Sequence, residues 1–325
     1  MGAARPSLLR AERGRHPHAV VMIRSISARI AKALVPGLPF LWLAVFFLLP
    51  FIIVVKISLS DPATAQPPYR PLLDLGQGLA GLRDFVSKLD VENFAALLGD
   101  DLYLQAAVSS VRIAAISMAL LLLIGYPVAY AMARAPARWR PLLIALVILP
   151  FWTSFLIRVY AWIGILRPEG VLNQTLMLLG LTSEPLTILN TETAVFIGIV
   201  YAYFPFMILP LYASLERLDE TLLEAAQDLG CPPWKAFWAI TLPLSLPGAV
   251  AGSLLCFIPI VGEFVVPDLL GGSDTLMIGR VLWSEFFSNR DWPVASAVAV
   301  VLLLILVIPI VIFRDVEARR IEARR

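Results

Sequence analysis

The chain of 325 residues is 59% hydrophobic, 15% charged and has a mean hydropathy of +0.82, which excludes both a soluble globular domain and a disordered chain. Its formal net charge of +2 is small and says little about acidic partners, the distribution of its Lys and Arg being what informs; nucleic acid is not an expected partner. An all-α, polytopic membrane protein in contact with lipid is left.

Residues 1–35 contain seven Lys and Arg and read as a basic cytoplasmic tail, within which Met22 offers a second start. His16 and His18 lie there with no nearby Cys, and no metal site is expected. The first apolar run, 37–58, is longer than the core of a signal peptide, so it reads as a retained span. Pro50 should kink it, and Lys56 should reach for the interface. Residues 60–103 form a polar loop broken by Pro and Gly, with a short helix expected at 91–98.

Five further runs follow at 106–133, 142–166, 193–214, 244–266 and 294–313. Each reaches the roughly 20 apolar residues that cross a bilayer, giving six transmembrane helices in one membrane domain, 36–313, with a second basic tail at 314–325. Alternate connections carry 7, 3, 2 and 5 Lys and Arg, 17 in all, against 6 on the other side. The positive-inside rule then puts both termini, and the loop at 216–243, in the cytoplasm.

Within the third run the segment PFWTSFLIRVYAW, residues 150–162, sets Arg158 among aromatics. A charge inside a span is costly and implies a partner or water. The fifth run carries GAVAG at 248–252, a small-residue face that lets helices approach closely, within the chain or across a dimer. Cys231 and Cys256 sit in different environments, so a disulfide is not expected.

The loop between the fourth and fifth runs carries the most information. Thr221 and Glu224 fit a capping box, and Leu222, Leu223, Ala226 and Leu229 leave an apolar stripe on a short helix. Gly230 should stop that helix, and Pro232-Pro233 should start a second short one with Trp234, Phe237 and Trp238 on its apolar face. Each arm is too short to cross a bilayer, so the hairpin should lie in water or on a protein. The chain has no G-x-x-x-x-G-K-[ST], H-E-x-x-H or G-x-S-x-G pattern. An enzyme is therefore not expected, and any nucleotide must bind another polypeptide.

Glu224-Ala225-Ala226, then Gly230, Ile240 and Leu242-Pro243 at these spacings resemble the EAA loop of bacterial ABC importer permeases. In that family the loop is a cytoplasmic coupling helix seated in a groove of the ATPase subunit. The 150–162 segment, YAYFPF at 201–206, VGEFVVPDLLGG at 261–272, MIGRVLW at 277–283 and NRDWPVAS at 289–296 resemble the polyamine branch, nearest to a putrescine-type permease.

The resemblance implies a type I importer of the inner membrane that carries putrescine or spermidine inward by alternating access. Its partners would be a second related permease, two ATPase subunits that hold ATP and Mg, and a periplasmic polyamine-binding protein; this chain itself would bind no cofactor. A type I permease for another small solute, an anion or a metal complex, and a non-transporting assembly subunit are the competing readings.

The substrate path would draw on Trp152, Arg158, Tyr160, Tyr201, Tyr203 and Glu263. At about 1.5 Å per residue, Arg112, Arg158 and Glu263 fall at similar depth. Glu263 then has two readings. It accepts a substrate ammonium with cation–π help from Trp152, Tyr160, Tyr201 or Tyr203, or it pairs with Arg158 or Arg112 and only holds helices together.

Overall fold

Prolines and small residues decide where the apolar runs bend and where they touch. The computed structural model describes the backbone of residues 35–72, 76 and 78–322, and the side chains of these except 79, 82, 309 and 312–322. Met22, His16, His18 and almost all of the predicted N-terminal tail lie outside the described residues. The chain divides into two units, Met1–Lys56 and Ile57–Arg325.

The first unit holds most of α1 (Val35–Ser58). The expected distortion at Pro50 takes the form of a widened turn, Ala44–Leu48, closed by Leu49 N–H to Ala44 C=O. Proline lacks an N–H and crowds the carbonyl four residues back, and one extra residue in the turn relieves that crowding. The same device recurs before Pro243, where Leu242 N–H bonds Phe237 C=O.

The second unit begins with a hairpin absent from the sequence reading, β1 (Asp61–Pro62) antiparallel to β2 (Tyr69–Arg70). Helices α2 (Gly78–Ser87) and α3 (Glu92–Gly99) follow, α3 close to the expected place. Buried Asn93 fixes α3 by donating to the Ser58 and Ser60 carbonyls at 3.0 and 2.9 Å.

α4 (Asp101–Arg134) starts on Asp100, whose carboxylate accepts from Leu102 N–H. α5 (Arg140–Trp152) leads to α6 (Phe155–Leu166) and α7 (Val171–Leu178), and the stretch 155–178 turns 89° from α5. The expected straight span at 142–166 is therefore broken. Pro150 cannot extend the helical bonding, its carbonyl takes both the N–H and the hydroxyl of Thr153, and Thr153 and Ser154 are extended.

α8 (Glu192–Glu216) is capped by Thr191. Next come α9 (Thr221–Asp228), α10 (Pro233–Val261), α11 (Val265–Leu270) and α12 (Ile278–Trp283), which runs into a wide turn at Ser284–Asn289. α13 (Trp292–Glu322) closes the described chain, and its backbone carries helix into the predicted C-terminal tail. The fifth span also departs from the expected 244–266: it begins at Pro233 and stops at Val261. Helices α1, α4, α8 and α10 are each long and apolar enough to cross a membrane; the α5–α6–α7 stretch qualifies as a bent pair, and the apolar part of α13 is shorter.

α4, α8 and α10 enclose the main core, with Ile113, Leu121, Ile199, Met207, Ile208, Leu211 and Ile260 fully buried. A Cβ on Gly248 would lie 2.4 Å from Ser214 Cβ and 2.7 Å from the Pro210 carbonyl, and one on Gly252 would lie 3.0 Å from the Met207 carbonyl. The small-residue face is thus spent on α8 within the chain, which removes the dimer reading for it. A second cluster, Leu97, Ala106, Ile278, Val281, Ala297 and Val298, joins α3, α4, α12 and α13.

Candidate functional site

Helix α9 is held by its ends. At its start the capping box does not form: the chain is already helical at Glu220, so Thr221 lies inside the helix, and Asp219 Oδ1 accepts from Thr221 N–H at 3.0 Å. That backbone hydrogen bond holds the exposed Asp219 carboxyl below the ordinary range. At its end Gly230 has φ +77°; Gly230 N–H bonds Gln227 C=O and Cys231 N–H bonds Ala226 C=O. This is the paired closure of a Schellman motif, which needs a left-handed residue at that position.

The second arm differs from the expected short helix. Pro233 takes the first helical position, but the helix continues through the wide turn Phe237–Thr241 into the fifth span. The loop is therefore one short helix, a Gly turn and the projecting end of a span. Glu224, Ala225, Gly230 and Pro243 are exposed, and Ala226, Ile240 and Leu242 are half-buried. Leu229, Trp234 and Trp238 are 89%, 63% and 63% exposed, which leaves an apolar surface beside Glu224 and Asp228.

The buried side of the arm fits against α4. Ala236, Thr241 and Ser245 are inside, Phe237 sets its edge on Tyr126 and Tyr130, and the Tyr126 hydroxyl lies 2.7 Å from Ser245 Oγ. Arg134, at the end of α4, pairs with Glu220 at 2.7 Å and stacks over Tyr130, while Arg140 pairs with Glu216 at 3.4 Å. Sequence reasoning missed these four charges because nothing in their spacing links them across about 80 residues; the chain contacts do.

The break after α10 holds the second site. Glu263 is 8% exposed, and its Oε1 accepts from the N–H groups of Phe264, Val265 and Val266 at 3.2, 3.0 and 3.4 Å. Its Oε2 accepts from the Tyr203 hydroxyl at 2.6 Å. A carboxylate set against the free N–H groups that open a helix is well satisfied. Glu263 thus restarts the chain as α11 and ties it to α8. Gly279 permits the close cover of this break, since a Cβ there would lie 2.4 Å from the Gly262 carbonyl.

The predicted meeting of three charges does not occur. Among the described residues Arg112 pairs with Glu192 at 2.8 Å, and Glu263 makes no ion pair with Arg112 or Arg158. Arg158 is 9% exposed, its Nε and Nη1 find no acceptor, and its guanidinium lies 4.8 Å from the Phe151 ring and 5.7 Å from that of Phe155. Depth along a straight helix does not place these side chains, because the breaks at 153–154 and 262–264 redirect them.

Of the six predicted path residues, Tyr203 and Glu263 are joined by a hydrogen bond. Rings link Arg158 to Tyr203, with Phe151 meeting Phe206 at 5.2 Å and Phe206 meeting Tyr203 at 6.1 Å, while Tyr201 sets against Trp162 at 5.4 Å. Trp152 and Tyr160 are 79% and 58% exposed. Phe151 and Phe206, which bridge Arg158 and Tyr203, lie inside the motifs above, but an apolar ring in a span gives no signal by itself. Cys231 and Cys256 are both free.

The family model described as "Binding-protein-dependent transport system inner membrane component" matches residues 122–322. The chain is 40% identical over 274 residues to the spermidine/putrescine transport system permease protein PotB of Haemophilus influenzae, covering 84% of this chain and 90% of that protein. Against PotB of Escherichia coli it is 38% identical over 272 residues, covering 84% and 92%. The fold is similar to that of a bacterial ABC transporter chain involved in import of the acidic polysaccharide alginate, with TM-score 0.66, 16% identity and coverage of 94% and 99%. A multi-pass helical chain that shares so much of its length with transport permeases belongs to the inner-membrane components of binding-protein-dependent transport systems.

Proposed function

We propose that this chain is one permease subunit of an ATP-driven polyamine importer that carries putrescine or spermidine inward by alternating access. The observation that carries the coupling role is the Schellman-closed turn between α9 and α10, around which Leu229, Trp234 and Trp238 are presented to solvent at the end of the α4–α8–α10 core. Such a surface suits helix-in-groove docking on an ATPase subunit, with Glu224, Ala225, Ala226, Gly230, Ile240, Leu242 and Pro243 as the coupling segment. The similarity to PotB through 84% of the chain supports the substrate class.

A second permease subunit, two ATPase subunits holding ATP and Mg, and a periplasmic polyamine-binding protein complete the assembly. The exposed rings of Trp152, Tyr160 and Tyr201, open on this single chain, are the part of the path suited to an alkylammonium cargo. Glu263 acts behind them by fixing Tyr203 and α11. Reconstituted with its partners, the complex should take up labelled spermidine or putrescine only with ATP and binding protein. ATP-driven uptake of an anion or metal complex instead, or an assembled complex that moves no solute, overturns the reading.

Orientation follows from the 17 to 6 partition of basic residues. With both termini in the cytoplasm, exposed Ser87 faces the periplasm. In a Cys231→Ser, Cys256→Ala background, Ser87→Cys should react with an impermeant maleimide in intact cells. Labelling only after lysis overturns the topology.

A further inference from the structure

Helix α9 is joined along the chain to α8 and α10, whereas side-chain ion pairs tie α4 to the residue before α9 and α5 to the end of α8. Resting on the coupling role proposed above, we infer that Arg134 and Arg140 form a clamp that delivers displacement of the loop to α4 and α5. Arg134 holds the loop directly on one side and through Tyr130 of its own helix on the other. Its Nη1 holds Glu220 just before α9 at 2.7 Å, and its guanidinium lies over Tyr130 at 5.5 Å, whose ring meets Phe237 just after the Gly turn at 6.1 Å.

Arg140 repeats the link one connection later. Its Nε closes the α4–α5 connection on the Ala135 carbonyl at 2.9 Å, and its Nη1 reaches Glu216 at the end of α8. Both arginine side chains are largely covered, 22% and 27% exposed, whereas their carboxylates are more open at 62% and 40%. Exposed ion pairs contribute little to stability. The contacts therefore matter as a mechanical link, since α5 carries Phe151 and leads directly to the bent segment that carries Arg158. Arg134 and Arg140 are positioning residues: they touch neither nucleotide nor cargo.

The test uses the assembled complex in lipid nanodiscs and proteoliposomes, with Arg134→Gln, Glu220→Gln and the swap Arg134→Glu with Glu220→Arg. Each single variant should lower solute moved per ATP hydrolysed by about fivefold or more, and the swap should restore most of it. A readout independent of cargo is the maleimide reactivity of Leu142→Cys on α5, 48% exposed, in a Cys231→Ser, Cys256→Ala background. Its change between nucleotide-free and vanadate-trapped complex should collapse in the single variants and return in the swap. Undiminished coupling and labelling change in the single variants overturns the clamp, as does a loss of assembly that the swap leaves unrepaired. A wild-type complex that shows the labelling change but no polyamine uptake refutes the substrate reading alone.

Discussion

Gly230→Val is expected to leave the membrane domain inserted and the complex assembled while lowering polyamine uptake at least tenfold. The cause lies in the backbone. Gly230 sits at φ +77° with open space around the position of a Cβ, so no clash with a neighbour is involved. A left-handed conformation costs an ordinary residue about 1–2 kcal/mol, and more for a β-branched one. Valine would leave that region, and the bonds to the Ala226 and Gln227 carbonyls would open together.

Helix α9 would then meet the end of α10 at a different angle, moving Leu229 relative to Trp234. Gly230→Asn is the control, because asparagine tolerates the left-handed region; it should keep most uptake. Wild-type uptake by the valine variant, or equal damage from asparagine, would show that the conformation of this residue is not what coupling requires.

Glu263→Leu is expected to prevent assembly or lower thermal stability severely, and Glu263→Gln to be tolerated. In the leucine variant three N–H groups at the start of α11 and the Tyr203 hydroxyl lose their acceptor at a buried position. Each buried unsatisfied group costs roughly 1–3 kcal/mol, together comparable to a typical margin of stability. Glutamine keeps a carbonyl oxygen for the three N–H groups and offers its amide N–H to the Tyr203 oxygen.

Combining Glu263→Gln with Arg158→Gln should give additive changes in stability, since the two residues form no ion pair. Thermal stability and ATP-driven uptake are measured separately on each variant. A glutamine variant that keeps its stability but loses uptake would refute the purely structural role and restore Glu263 as an acceptor for a substrate ammonium.

The sequence by itself determined the environment, the number of apolar runs and the turn at Gly230. Each of these rests on local physics: transfer of apolar side chains from water, the length that crosses a bilayer, and the conformational freedom of one glycine followed by two prolines. It also pointed to the small-residue face at 248–252, but only the tertiary structure showed that α8 occupies it. Spacing along a chain tells which residues share a helix face and is silent about what lies opposite.

The same limit explains the charges. Arg158, Arg112 and Glu263 were legible as costly groups inside spans, but their partners depended on where the helices break. Pro150 with Thr153 turned one span by 89°, and Glu263 itself became the cap of the next break. Hydropathy averages over such breaks because the residues flanking them are apolar. Arg134 and Glu220 meet across 86 positions, a contact created when α4 and α8 pack side by side, and no property of either residue's own segment encodes it.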